Sequence, residues 1–143
     1  MAVVKSSWAN AERNCIEYLS KQIEDSEIGR NFFVGEIPPG AYDCWMFAIT
    51  GPSGTDFLSE CTGTTRNMEA VIDGLFLDRE EAQQVEQDVR TKLPVTTITN
   101  VPRMAQTAEA SLAREFIENT DGTAQIRAWR LTIPLMVAFN NVN

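Results

Sequence analysis

The chain has 143 residues, with twelve lysines and arginines against twenty aspartates and glutamates, so its formal net charge is −8. It contains no histidine, which excludes the usual forms of zinc hydrolase, Ser-His-Asp enzyme and Cys-His protease. The acidic balance argues against a protein that grips nucleic acid, because such binding depends on cationic side chains. The length fits one domain over residues 1–143, whose core buries roughly two-thirds of the unfolded surface.

Three cysteines, Cys15, Cys44 and Cys61, are widely spaced and odd in number, which is unlike a disulfide framework. The N-terminal residues lack an apolar stretch long enough for a signal peptide, and the longest apolar run, residues 44–49, is too short for a membrane span. We therefore expect a protein that folds in a reducing cytoplasm with its thiols unoxidised and has no membrane partner. Cys15 and Cys44 are expected to be buried as small hydrophobic side chains.

Two segments are predicted to be helices that pack on a sheet. Residues 6–28 repeat apolar side chains at helical spacing, with Ser6 or Ser7 as the N-cap and Gly29 as the stop. Residues 78–93 begin with an Asp-x-x-Glu sequence that favours a helix start, carry a narrow apolar stripe and are followed by a proline that ends the helix.

Strands are predicted on both sides of a turn in the first half of the chain. Residues 42–50 are apolar without alternation, which indicates a strand buried on both faces. Residues 51–54 read Gly-Pro-Ser-Gly and predict a turn, because a phosphate loop needs a following lysine that is missing here. Residues 67–77 alternate and predict a half-exposed strand. Residues 103–118 stay ambiguous, since their apolar residues recur every four positions yet the segment leads into a hairpin turn.

The C-terminal region predicts a long hairpin over residues 111–139, with Asp121 and Gly122 forming its turn. Residues 123–139 are β-prone, and seventeen strand residues would span about 56 Å. That length exceeds what a compact domain with a radius of gyration of roughly 14–15 Å encloses. Because Pro134 cannot donate a ladder hydrogen bond, the strand is expected either to project as an arm with open edges or to bend and cross its own sheet.

These elements predict an α+β fold in which two helices pack on a mixed or antiparallel sheet that ends in the long hairpin. Acidic clusters at Glu24, Asp25 and Glu27, at Asp78, Glu80 and Glu81, and at Glu115 and Glu118 fall on solvated faces, helix ends or turns. Nothing in their spacing selects a catalytic or metal-binding pair. We therefore expect no enzyme activity, no catalytic residues, no bound metal and no cofactor.

The last strand carries the strongest candidate for an interaction site. Arg127, Trp129, Arg130 and Leu131 lie close together there, with the two arginines on opposite faces of the strand. Arginine and tryptophan are enriched at interface hot spots, so we predict a subunit interface at these four residues. An ordinary strand with one core tryptophan and two solvated arginines fits the same pattern.

The order of elements and residues 113–135, AREFIENTDGTAQIRAWRLTIPL, resemble the tail-terminator proteins of long-tailed bacteriophages, or a related small neck or tail protein. The resemblance implies an α+β subunit of a hexameric ring on the end of the tail tube. That ring stops tube polymerisation and offers a docking surface to the head connector. The implied location is the virion, after assembly in the host cytoplasm.

The implied partners are further copies of the chain, the tail tube protein and the head-connector protein, with DNA passing through the lumen without specific binding. Six copies would carry 6 × −8 = −48 formal charges, which repels DNA. Two other interpretations stay open: an acidic cytoplasmic module, immunity or inhibitor-like, that masks a basic protein, and an enzyme that uses carboxylates or Cys61.

Overall fold

A computed structural model describes residues 7–23, 25–52, 65–118 and 125–140. These ranges contain two helices and six strands, which confirms the predicted α+β class. The elements follow in the order α1 (Ser7–Gln22), β1 (Phe32–Val34), β2 (Cys44–Pro52), β3 (Thr65–Phe76), α2 (Arg79–Lys92), β4 (Arg103–Gln106), β5 (Ser111–Glu118) and β6 (Gln125–Asn140).

The six strands form one mixed sheet in the order β1-β2-β3-β6, with β4 and β5 both on the far side of β6. The β1–β2 pair is parallel and the remaining pairs are antiparallel. β3 and β6 pair over twelve residues, from Thr65 opposite Asn140 to Phe76 opposite Trp129. This long central ladder determines which side of every neighbouring strand faces the core.

The predicted hairpin over residues 111–139 is present as β5 and β6, but it is not an arm with open edges along its length. β6 lies inside the sheet: β3 pairs along one side, while β4 pairs with residues 135–138 and β5 with residues 125–132 on the other. The strand therefore crosses its own sheet, which is the second of the two predicted alternatives. Only residues 125–128 extend past the end of β3 and pair with β5 alone.

Pro134 lies in the middle of β6, which has strands on both sides, so the proline does not place the strand at an edge. Its carbonyl accepts a hydrogen bond from the Thr107 backbone N at 3.1 Å, so it is turned towards the connection between β4 and β5. In an antiparallel strand the nitrogen and carbonyl of one residue turn to the same side. The proline nitrogen thus faces the gap between β4 and β5, where the ladder does not require a donor.

The ambiguous segment 103–118 forms two strands, β4 and β5, joined by a short connection. Its apolar residues are spaced by four, which is a multiple of the two-residue repeat of a strand as well as close to one helical turn. Met104 is buried on the core side and Leu112 packs against the core, whereas Ala108 is exposed in the connection and Phe116 is 60% exposed. The four-residue spacing therefore does not mark one continuous element.

Helix α1 is six residues shorter at its C-terminus than the predicted 6–28. Asp25 adopts a left-handed φ of 60°, and its carbonyl accepts hydrogen bonds from the side chains of Arg30 at 3.0 Å and Asn31 at 2.8 Å. These bonds stabilise a turn where the sequence pattern predicted helix, and Gly29 lies inside that turn at φ 90°. Ser6 and the side chain of Ser7, the predicted N-caps, lie outside the described part of the chain.

Helix α2 agrees with the prediction to within one residue at each end. The Asp78 side chain accepts a hydrogen bond from the Glu80 backbone N at 3.0 Å and so caps the helix. Ala82 and Val89 on its apolar stripe are buried, while Val85 and Leu93 pack on the core from its margin.

Both helices pack on one face of the sheet and enclose the main core. β2 is buried on both faces from Cys44 to Ile49, as its apolar run predicted, and the Trp45 ring stacks on Phe32 with centroids 3.3 Å apart. The turn predicted at residues 51–54 is wrong for its first half, because Gly51 and Pro52 continue β2 and pair with β3, and residues 53 and 54 lie outside the described residues. The largest fully buried side chains of this core are Phe32, Phe47, Phe139, Ile16, Leu19, Met68, Ile72, Met104, Ile133, Leu135, Val89 and Val101. On the other face, Leu75, Ile117 and Ala128 form a second, smaller core beneath the hairpin end.

Gly74 of β3 tests how tightly the central ladder is packed. A Cβ at this position would overlap the Phe76 ring, and that ring is only 5% exposed. We expect Gly74→Ala to lower the free energy of unfolding by about 1–3 kcal/mol. Gly51→Ala is the matched control, because a Cβ there meets nothing within 4 Å, and it should leave stability unchanged or raise it by up to ~1 kcal/mol. If urea unfolding showed equal changes in the free energy of unfolding for Gly74→Ala and Gly51→Ala, the close packing at Gly74 would be contradicted.

The buried thiols give a second test. Burial, and then Glu12, raises the pKa of Cys15 from 9.0 to about 12, and burial followed by Asp43 raises that of Cys44 to about 11. At pH 8 the native thiolate fractions are therefore about a thousandfold and a hundredfold below those of the unfolded chain. In a Cys61→Ser variant, alkylation followed by mass spectrometry should be slower in the native state by at least these factors. Similar native and unfolded rates would contradict the burial.

The same shifts set a direction for stability against pH. The folded state binds the two thiol protons more tightly than the unfolded state, so their contribution to stability is complete below the unfolded value of 9.0. It decreases as the pH rises towards the folded values.

Candidate interaction surface

A cluster of cations on aromatic rings lies where the hairpin meets the N-terminus of α2. Register places Arg114 opposite Trp129 and Phe116 opposite Arg127, all on the helix-bearing face of the sheet. The guanidinium carbons of Arg79 and Arg114 lie 5.4 and 5.1 Å from the centre of the Trp129 ring. That of Arg127 lies 5.9 Å from the centre of the Phe116 ring. We call these five residues the basic–aromatic patch.

The patch keeps its positive charge. Among the described residues, none of its three arginines has a carboxylate oxygen within 4 Å. A ring face attracts a guanidinium and orients it without neutralising it. Three cationic groups therefore stay exposed together in a chain whose formal net charge is −8. Beside Arg79, a groove of about 390 Å³ runs between α2 and the start of β5.

The backbone next to the patch is also available for pairing. Within the described residues β5 pairs with β6 alone, so the outer edge of Ser111–Glu118 has no strand beside it. Phe116 on this strand is 60% exposed. An edge strand with an exposed aromatic residue offers another chain both backbone hydrogen bonds and apolar area.

The structure brings together two of the four residues predicted for the interface. Arg127 and Trp129 are both in the patch. Arg130 lies on the opposite face, as the strand alternation predicted, where its Nε is 2.7 Å from Glu115 Oε2 and its Nη1 is 3.7 Å from Asp73 Oδ2. Leu131 is 2% exposed in the main core, so its assignment to a contact surface is corrected: packing inside the protomer already covers this side chain.

Arg79, Arg114 and Phe116 also belong to the patch, although the sequence pattern did not indicate them. The β5–β6 register is symmetric about positions 121 and 122, so an explicit hairpin register would have placed Arg114 and Phe116 beside the tryptophan and the arginine. The predicted turn residues Asp121 and Gly122 themselves lie outside the described residues. No local sequence signal identifies Arg79, because it reaches the patch through packing of α2 on the sheet.

An acidic cleft of about 360 Å³ lies on the other side of α2, between that helix and the turn after α1. Four carboxylates line it, and among the described residues none has a cation within 4 Å: Asp25, Asp43, Glu81 and Asp88. Desolvation and, after it, the negative charges of Asp43 and Asp78 raise the pKa of the largely exposed Glu81 carboxyl, so like charges lie near one another at the rim. The buried rings of Trp45 and Phe76 form part of the lining.

In the sequence, Asp25 and Glu81 belong to separate acidic clusters that are typical of solvated positions. The structure brings them to one cleft together with Asp43 and Asp88, which the sequence analysis did not single out. Arg30 also lines the cleft, but its Nε bonds to Glu27 at 2.7 Å and its Nη2 to the Asp25 carbonyl at 3.0 Å. Its charge is therefore already partly used within the turn.

Three further observations concern chemistry and identity. In the described residues, no group of three or more Asp, Glu and Cys side chains is placed to hold a metal ion. Neither α1 nor α2, the helices in the described ranges, has the length and apolar character needed to cross a membrane. Compared with models of known protein families and with curated protein sequences, the chain matches none.

The two arginines of β6 give a test of this geometry. Arg130→Ala should lower the free energy of unfolding by about 1 kcal/mol, because it leaves Glu115 and Asp73 close together without their shared cation. Arg127→Ala removes an exposed side chain without an ion pair and should change stability by less than about 0.5 kcal/mol. Urea unfolding measures the free energy of unfolding of each variant, at a protein concentration where light scattering gives both the same mass. A larger loss of stability for Arg127→Ala than for Arg130→Ala would contradict the assignment of the ion pairs to Arg130.

Proposed function

We propose that the protein is a structural virion subunit of a long-tailed phage that acts at the tail or head–tail junction. In this role it caps the tail tube as a ring and provides the docking surface for the head connector. The observation that carries the proposal is that the outer edge of β5, which has no strand beside it among the described residues, lies next to the exposed basic–aromatic patch. A subunit of an assembly needs such a surface, whereas a lone protein has to protect it from aggregation.

The function itself is physical rather than chemical. Ending a polymer requires one face that is complementary to its last ring and an opposite face that does not recruit another ring. In the described part of the chain both helices pack on the same face of the sheet, which gives the two faces different character, and the outer edge of β5 offers a lateral contact. Six copies of a −8 chain would surround the lumen with −48 formal charges, which favours passage of DNA without binding.

Two measurements test the proposal. Size-exclusion chromatography with light scattering should give about six times the 16.0 kDa mass of one chain, and negative-stain microscopy should show annular particles. Added to purified tail tubes, these particles should bind the tube ends and stop further growth.

Each negative result has a defined meaning. A 16.0 kDa species alone at every concentration, with or without tubes, would contradict the ring. Rings that never bind tube ends would contradict the phage assignment.

A second candidate function is the acidic module that masks a basic protein, and the acidic cleft favours it. The four carboxylates, which have no cationic partner among the described residues, would accept a cationic side chain of a partner above the apolar floor, and the negative field would accelerate the encounter. Two of them, Asp43 and Asp88, also accept hydrogen bonds from the Leu77 backbone N and from Gln84 Nε2. This candidate requires a monomer that binds one small basic protein at equal stoichiometry. An assembly of many copies without such a partner would exclude it.

A further inference from the structure

We propose that successive copies of this chain join head to tail, with the basic–aromatic patch of one copy docked in the acidic cleft of the next. This inference rests on the proposed function, because it specifies the lateral contact of the ring. It commits to a second copy as the occupant of both surfaces, for reasons of charge, geometry and apolar area.

The charges of the two surfaces are complementary. The patch presents three guanidinium groups without carboxylate partners in the described residues, and the cleft presents four carboxylates without cationic partners there. Guanidinium–carboxylate pairs form paired, directional hydrogen bonds, which gives such a contact a defined orientation. Each surface thus supplies what the other lacks.

The two surfaces cannot satisfy each other within one copy. Arg79 and Gln83 border the groove on one side of α2, while Glu81, Gln84 and Asp88 border the cleft on the other. Helix α2 therefore separates them, and each must meet its complement on another molecule. A contact between two different surfaces is heterologous, and it closes into a ring when the rotation between copies allows.

The apolar area of the two surfaces favours the same arrangement. Phe116 is 60% exposed at the basic end, and the cleft has buried aromatic rings in its lining. Interface hot spots combine aromatic residues and arginine near the centre of the contact. Of the outer edges of β1, β4 and β5, that of β5 is the one left open among the described residues. Phe32 of β1 exchanges backbone hydrogen bonds with Glu27 and Gly29, and Met104 of β4 does so with Val95.

Charge reversal on each surface tests the contact. The patch-reversed variant is Arg114→Glu with Arg127→Glu, and the cleft-reversed variant is Glu81→Arg with Asp88→Arg. Each alone places like charges against each other, so we expect the lateral contact to weaken by at least about a hundredfold and each variant to run as a monomer. Mixed at equal amounts, the two variants should regain the wild-type mass, because opposite charges then meet at every contact.

A single chain with all four substitutions should also assemble. Its formal charge returns to −8, against −12 for the patch-reversed and −4 for the cleft-reversed variant, so its recovery excludes an effect of net charge. Recovery also shows that the substitutions leave the fold intact. The matched control is Arg13→Glu with Lys21→Glu, on the exposed side of α1. It changes the net charge as much as the patch-reversed variant does and should assemble as wild type.

The outcomes separate this inference from the proposed function. If wild type forms rings and each reversed variant alone assembles equally well, the head-to-tail contact is wrong while the ring stands. The same conclusion follows if neither the mixture nor the fourfold variant regains the wild-type mass. If wild type is a monomer throughout, both proposals fail.

Discussion

The twelve-residue ladder between β3 and β6 is the constraint on which the rest of the structure depends. Because side chains alternate between the faces of a strand, a shift of one residue would turn Ile72 and Ile133, which face each other in the main core, away from the helices. The ladder also places Trp129 beside the last residue of β3 and hence close to the start of α2. The core and the candidate surface are therefore positioned by the same register.

β6 is longer than its partner β3, and this difference in length produces the part of the sheet that carries the basic–aromatic patch. Residues 125–128 pass the end of β3 and pair with β5 alone, so the sheet narrows to two strands there. Two strands are marginal by themselves in water. Here the small core of Leu75, Ile117 and Ala128 supports one face, while the cation–ring contacts of the patch lie on the other. Residues 125–128 and their partners in β5 are thus supported on both faces, while the outer edge of β5 has no strand beside it in the described part of the chain.

Local patterns predicted the elements well, and nonlocal pairing limited what they could predict. The buried run of β2, the alternation of β3 and the capped start of α2 follow from neighbouring residues, and the structure confirms each. The central position of β6 depends on strands that come earlier in the chain, and the tolerance for Pro134 depends on a gap between β4 and β5 that no local pattern encodes. The acidic cleft likewise gathers carboxylates from three separate segments, so spacing alone could not reveal it.

In the proposed contact, net charge and local charge have opposite effects. Two chains of −8 repel each other, but at physiological salt that repulsion is screened beyond about 8 Å. At closer range, repulsion between the two acidic chains opposes most of their relative orientations. These include the arrangement in which the open β5 edges of two copies pair with each other. The orientation that brings the guanidinium groups of the patch to the carboxylates of the cleft replaces repulsion with attraction. An acidic chain whose basic–aromatic patch has a complementary acidic cleft on the next copy therefore favours that mode of association over others, which is what a ring of defined size requires.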